Sequence, residues 1–323
     1  MLPPGLWPKV IDFLAERFET IPRGEIEARM LRGDVLDARG APISPEHPYQ
    51  PHLKLYYYRS IASEARIPFE EVVLFQDDYL IAVDKPHFLP VTPGGRYLQE
   101  TLLVRLKRKL QIDTLAPVHR IDRETAGVVL FTRQPDTRGQ YQALFRDRAV
   151  EKSYQAIAPW RADLPLPMLY RSRLVEADHF MRMCEQDGEP NAETRIELLE
   201  VQVEAEMEAE AEMEMEMEAK MEVKMDGKPK GPLARYRLRP LTGKKHQLRV
   251  QMAALGVPIL NDQIYPAHLS KAQIEQDDFR KPLQLLAESI AFRDPVTGQA
   301  RRFESRQRLM REGFAGIFPC QRE

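Results

Sequence analysis

His119-Arg120-Ile121-Asp122-Arg123-Glu124-Thr125-Ala126-Gly127 runs directly into the apolar stretch Val128-Val129-Leu130-Phe131. Five of the first six side chains are ionisable, and four β-prone residues follow the glycine. A short apolar run of that composition reads as a buried strand. The charged loop is therefore anchored at the edge of a core instead of trailing in solvent. A solvated surface would explain any one of these charges alone. Together they place a carboxylate, Asp122, between two arginines, and nearby positive charge favours the ionised form. Such a carboxylate can serve as a nucleophile or a general base.

Working outward from this loop, Val72-Val73-Leu74-Phe75 and Leu80-Ile81-Ala82-Val83 read as a β-hairpin across Gln76-Asp77-Asp78-Tyr79. Residues 98–110 have helical periodicity, with Arg105, Lys107, Arg108 and Lys109 expected on an exposed face. A helix is expected over 136–147, capped by Asp136 or Thr137, with Tyr141, Leu144, Phe145 and Arg148 on one side. Strands follow at 152–158, 192–199 and 233–238, then a helix over 245–255 that stops at Gly256. Two late strands, 283–292 and 299–303, flank the turn Asp294-Pro295-Val296-Thr297-Gly298. This order predicts an α+β fold, a mixed and mostly antiparallel sheet with helices against it, not regular βαβ repeats. Two further segments carry polar chemistry. Lys152, Tyr154 and Ala156 share one strand face, and Thr242-Gly243-Lys244-Lys245-His246-Gln247-Leu248-Arg249 leads from a glycine turn into a helix. His246 and Arg249, three apart, are neighbours on one side of that helix.

These segments together resemble the RluA-type pseudouridine synthases. That family's signature is His-Arg-Leu-Asp-Arg/Lys, then Asp/Glu-Thr-Ser-Gly and an apolar strand. Residues 119–131 match it with Ile121 for Leu and Ala126 for Ser. Asp77-Asp78-Tyr79-Leu80-Ile81-Ala82-Val83-Asp84-Lys85-Pro86 is similar to its opening motif, with Asp84 for Asn. Lys152-Ser153-Tyr154 matches its Lys-x-Tyr strand, and residues 240–249 match Pro-x-Thr-Gly-Arg-x-His-Gln-Ile/Leu-Arg with Lys244 for the first Arg. Residues 256–262 continue the motif, with Asn261 where Gly is usual. The resemblance spans roughly 72–303. It implies a catalytic domain of pseudouridine-synthase type over 67–323 that isomerises specific uridines in RNA, without a cofactor or metal. By resemblance Asp122 is the nucleophile on a flipped-out uridine. Arg249 pairs with it, and Tyr154 stacks on the uracil and helps to remove the C5 proton. Arg120, Arg123, Lys152, Lys244 and His246 are the candidate RNA contacts, Lys244 with a charge but no bidentate fork.

Residues 1–66 form a small helical module with a short β tail. Val10, Phe13, Leu14 and Phe18 repeat at helical spacing, as do Ile26, Met30 and Leu31 after Pro22, and Gly33 is a C-cap. The order helix, Pro-Arg, helix, Gly-Asp-Val, with Arg23, Arg29 and Arg32, resembles a small α/β RNA-binding module found in a ribosomal small-subunit protein and ahead of many RNA-modifying enzymes. This favours ribosomal RNA over transfer RNA as the partner, and rRNA processing as the context. Residues 200–226 hold 11 acidic and 2 basic side chains, so the net charge of -2 conceals a body with 45 basic against 38 acidic residues. A modestly basic body suits a polyanion. A Met/Glu-rich insert at about 202–230 alternates strictly over 212–218, yet like-charge repulsion disfavours order, and a largely disordered excursion between two strands is expected. A soft-metal site on its methionines is the sharper alternative. Cys184 and Cys320 make neither a disulfide framework nor a zinc site. No apolar run approaches the roughly 20 residues of a membrane span, no signal peptide is evident, and a cytoplasmic monomer is expected. Two other functions stay open: a non-catalytic RNA-binding protein on the same fold, and a hydrolase pairing Asp122 with His119 or a second carboxylate.

Overall fold

The computed structural model describes residues 1–18, 21–57, 64–177, 182–202, 231–265 and 278–309. The chain divides into two compact units, Met1–Ser63 and Glu64–Glu323. The Met/Glu insert lies outside the described residues.

In the first unit, α1 (Val10–Arg17) and α2 (Arg23–Leu31) pack beside a two-stranded ribbon of β1 (Val35–Leu36) and β2 (Tyr56–Tyr57). Val10, Ile11, Leu14, Ile26 and Met30 bury the facing helix sides, whereas Leu31 is 72% exposed, outside the stripe expected for it. Gly33, at φ +78°, lets the chain reverse after α2, and the Asp34 N–H donates back to the Arg29 carbonyl at 2.9 Å. The three arginines singled out from the sequence of this unit are each paired: Arg23 with Asp12, Arg29 with Glu25 and Arg32 with Asp34.

The second unit is built on one sheet. Its strands are β3 (Val72–Gln76), β4 (Leu80–Lys85), β5 (Ala116–Pro117), β6 (Ala126–Thr132), β7 (Val150–Pro159), β8 (Met168–Glu176), β9 (Met183–Gln186), β10 (Ala192–Gln202), β11 (Leu233–Pro240), β12 (Leu285–Arg293) and β13 (Ala300–Glu304). The order is β3-β4-β6-β12-β7-β11-β10-β8-β9, with β13 beside β12 and β5 beside β6. Every pairing is antiparallel except β6 with β12, so the sheet is mixed and mostly antiparallel, as expected. The second unit also carries α3 (Leu102–Leu110), α4 (Pro135–Arg146) and α5 (Gln247–Ala254). Alternation on β4 and β6 explains why both read as continuous apolar runs. Ile81, Val83, Val129 and Phe131 face Leu102 and Leu106 of α3, while Leu80, Ala82, Val128 and Leu130 face Tyr141 of α4. Both sheet faces are covered there, so neither can be polar.

Among the described strands, the one parallel pair makes a close approach at a glycine. Gly127, at φ +114°, lies opposite Ala287, and a Cβ there would sit 2.2 Å from the Ala287 carbonyl oxygen. Only glycine permits that approach. Asp84, buried where the family signature has Asn, accepts from Ser305 Oγ, the Arg306 N–H and Gln307 Nε2, all at 2.7 Å, tying the chain after β13 to β4.

Several local expectations change. Arg105 is 11% exposed, because its guanidinium donates to the Phe69 and Ile67 carbonyls and pairs with Glu100 and Glu71. Helix α4 starts at Pro135 after Gln134, and Arg148 lies beyond its end at φ +56°, exposed. Strands β8 and β9 were not expected; Arg171 and Arg173 stand on the open side of β8, and half-buried Glu185 interrupts the apolar pattern on the covered side of β9. Among the described residues no helix is long and apolar enough to cross a membrane.

Candidate active site

The loop 119–125 is held from below. Lys85, at the end of β4 and fully buried, donates to the carbonyls of Pro86, Leu89 and Arg123 at 3.0, 2.8 and 3.0 Å. Three acceptors match the three N–H bonds of an ammonium. Burial still pulls Lys85 down to about 7, against the attraction of Glu124 and Asp122. The loop's exit is fixed where Gly127 of β6 lies against Ala287 of β12, so Asp122 sits between two anchored points.

Helix α5 brings in the cation. A buried polar network secures its first turn: Thr242 Oγ1 donates to Gln247 Oε1 at 2.7 Å, and Gln247 Nε2 donates to the Glu193 carbonyl at 3.0 Å and to Thr194 Oγ1 at 2.9 Å. His246 caps the helix at φ +53°. Arg249, 1% exposed, then faces three carboxylates. Its Nε and Nη2 grip Asp262 at 2.7 Å each, and Nη1 lies 3.3 Å from Asp122 Oδ2 and 3.5 Å from Glu124 Oε2. Burial opposes the charge of Arg249, but Asp262 and then Asp122 and Glu124 outweigh it and raise its pKa further.

Tyr154 lies on β7, paired with Leu238 of β11 and Ala287 of β12, and lines the same groove as Asp122 and Arg249. Burial, followed by the Asp122 charge, pushes its phenol pKa up, so the hydroxyl stays protonated. The expected trio thus shares one groove. That groove has a volume of about 1080 Å³, and its walls carry eight lysines and arginines with Asp122 as their one carboxylate.

The expected RNA contacts all line the groove, in unequal states. Arg120 and Lys244 are exposed and form no ion pair among the described residues. Arg123 bonds Glu124 at 2.9 Å and the Tyr97 hydroxyl at 3.0 Å. Lys152 donates to the Thr242 carbonyl at 2.8 Å, and burial followed by Arg148 pulls it down to about 8. His246 has Nδ1 3.0 Å from the Tyr265 hydroxyl and Nε2 3.9 Å from Asp122 Oδ1, and burial lowers its pKa. It faces the carboxylate more than the open groove.

The hydrolase alternative loses its partners. His119 accepts from the Leu130 N–H at 3.2 Å and stacks on Phe145 at 4.6 Å; burial, followed by Lys152, takes it down to about 3. Burial works against the Glu124 charge, but Arg249 and Arg123 hold that carboxyl at about 2. Neither can supply a proton near neutrality, which acid-catalysed glycoside cleavage needs.

Lys85, Asp262 and Tyr265 were not anticipated as parts of the site. Asp262 closes the quoted motif 256–262, but a lone loop Asp does not show in sequence which arginine it grips. Asn261, at φ +62° where Gly is usual, donates from Nδ2 to the Pro282 carbonyl at 3.0 Å, a left-handed position that Asn tolerates.

A flipped-base chemistry on a polyanion suits one carboxylate, one buried arginine and one aromatic in a cationic groove. The family model described as RNA pseudouridylate synthase matches residues 79–254. The chain belongs to that family, in its RluA type, and is an RNA pseudouridine synthase, an isomerase. An uncharacterized RNA pseudouridine synthase of Synechocystis is 27% identical, over 79% of this chain and 79% of the relative. The dual-specificity RNA pseudouridine synthase RluA of Escherichia coli K12 is 28% identical, over 72% of this chain and 92% of its own length. The structure of human RNA pseudouridylate synthase domain containing 1 superposes with a TM-score of 0.54 at 17% identity, covering 76% of this chain and 86% of that one, a likeness of fold.

Proposed function

We propose that Asp122 is the nucleophile in the conversion of specific uridines to pseudouridine, with ribosomal RNA ahead of transfer RNA as the substrate. The observation that carries the assignment is Asp122 as the single carboxylate on a wall of eight cationic side chains, 3.3 Å from a buried arginine. The reaction breaks the N1–C1′ bond and forms C5–C1′. The proton lost from C5 is balanced by one gained at N1, so no oxidant or energy source is needed. Arg249 holds and aims the carboxylate. Tyr154 supports the extruded uracil by stacking, which is worth about 1–3 kcal/mol per base. Its protonated, buried phenol argues against the expected part in removing the C5 proton, because a base would have to be the phenolate.

Arg120 and Lys244 hold the RNA backbone. Arg123, Lys152 and His246 shape the site from within, since their polar groups already have protein partners. The resemblance of residues 1–66 to a ribosomal-protein module supports the ribosomal preference, although Arg23, Arg29 and Arg32 are paired internally. A relative named as dual-specificity supports testing more than one class of RNA, with transfer RNA second. The protein acts as a cytoplasmic monomer. Pseudouridine mapping of ribosomal and transfer RNA from cells lacking the protein tests the substrate. A site lost from ribosomal RNA and restored by the native protein, but not by Asp122→Asn, is expected. Restoration by Asp122→Asn would refute the nucleophile; loss confined to transfer RNA would refute the ribosomal preference.

A further inference from the structure

We infer that Asp262 is a positioning residue that orients both sides of Asp122, through two separate arms. It is 1% exposed by side chain and is not among the residues lining the active-site groove, so it acts on RNA only through its neighbours. The first arm is the fork to Arg249. Because Nε and Nη2 are both taken by Asp262 at 2.7 Å, Nη1 is the nitrogen left for Asp122 Oδ2. A guanidinium held at two of its nitrogens in one plane cannot rotate about its stem, whereas one held only through Nη1 can. The second arm is a turn. Asp262 Oδ1 also accepts from the Ile264 N–H at 2.8 Å and the Tyr265 N–H at 3.0 Å. That places the Tyr265 hydroxyl 3.0 Å from His246 Nδ1, with the Met183 N–H donating to the same hydroxyl at 2.9 Å. The other ring nitrogen of His246 is 3.9 Å from Asp122 Oδ1. One carboxylate thus sets the groups facing Oδ2 and Oδ1 alike.

Glu124 makes this restraint necessary. It lies 3.5 Å from the same Nη1 that serves Asp122. A guanidinium released from Asp262 would be drawn toward either carboxylate, and time spent on Glu124 is lost to Asp122. The inference rests on Asp122 being the nucleophile, and the test separates the two ideas.

The test is a double-mutant cycle on single-turnover rate, using a uridine-containing RNA that the native protein modifies, with RNA affinity measured alongside. Asp262→Asn keeps the shape but weakens the fork. It should slow the chemical step by about 10²-fold, the scale of a misplacement near 1 Å, and leave RNA affinity within about twofold. In an Arg249→Gln background the same change should cost much less, because the fork is already gone. Tyr265→Phe removes only the hydroxyl of the second arm and should slow the step severalfold with unchanged affinity, which keeps the idea testable if Asp262→Asn folds poorly. Equal Asp262→Asn costs in both backgrounds, or a Tyr265→Phe rate equal to native, would overturn the inference. If instead Asp122→Asn turns over normally, the nucleophile assignment is what fails.

Discussion

The affinity of this protein for RNA should depend steeply on salt, with a slope set by four side chains. Of the eight cations on the groove wall, Arg123 is held by Glu124, Arg146 by Asp147, Lys152 by the Thr242 carbonyl and Arg249 by Asp262. Arg120, Arg148, Lys244 and Lys245 are exposed and have no ion-pair partner among the described residues, so they are free to meet phosphates. Each phosphate neutralised on a single strand contributes about −0.7 to the slope of log K against log salt, so four give about −2.8. Raising salt from 50 to 200 mM should then weaken binding about 50-fold. Lys244→Ala with Lys245→Ala should reduce the slope to about −1.4 and the loss to about sevenfold. The assay is equilibrium binding of a labelled RNA to the Asp122→Asn form, so that turnover does not intrude. Arg235→Ala, outside the groove and paired with Glu200, serves as a control and should leave the slope unchanged. A parent slope shallower than about −1, or one indifferent to the double substitution, would refute the assignment of these four cations to phosphates.

Three further outcomes follow from the geometry. Gly127→Ala forces a Cβ to 2.2 Å from the Ala287 carbonyl at a positive φ, and should cost about 2–5 kcal/mol by denaturant titration; a change under about 0.5 kcal/mol would mean the strands separate easily. Tyr154→Phe should keep most of the single-turnover rate while Tyr154→Ala loses it, because stacking needs the ring and not the hydroxyl; an inactive Tyr154→Phe would restore a role for the phenol. His119, pulled down to about 3, binds its proton in the unfolded chain at higher pH than in the folded one, so its share of stability is present above about 6.5 and fades as pH falls toward 3. His119→Phe should flatten the loss of stability between pH 6.5 and 4, and an unchanged profile would contradict a buried neutral imidazole.

The elements that sequence located well are those whose burial is one-sided or complete. Strands β4 and β6 stand out because helices cover both of their faces, and α5 because a glycine turn precedes it and Gly256 ends it. Strands β8 and β9 escaped because Arg171 and Arg173 on the open side and Glu185 on the covered side break up the apolar signal. Arg105 shows the opposite failure. Its neighbours Lys107, Arg108 and Lys109 suggested a solvated face, yet one guanidinium in that run turns inward to backbone carbonyls supplied from 67–69. Charge alone does not say which way a long side chain points.

By itself the sequence determined the chemistry on offer: an anchored carboxylate between arginines, a strand tyrosine and a helix arginine, in an order that a known family shares. Local rules suffice for that, because a loop next to a strand, a glycine turn and a helix face are all set within a few residues. What tertiary structure alone decided is which charges are free. Arg123 and Arg249 look like Arg120 in a string of letters. Only the fold shows that Glu124 and Asp262 already hold the first two, while the third is exposed and has no ion pair among the described residues. Asp262 is 13 residues from Arg249 and far in sequence from Asp122, and Asp122 lies 127 residues from Arg249. Which carboxylate meets which nitrogen depends on how the sheet and α5 pack, and that information is not local.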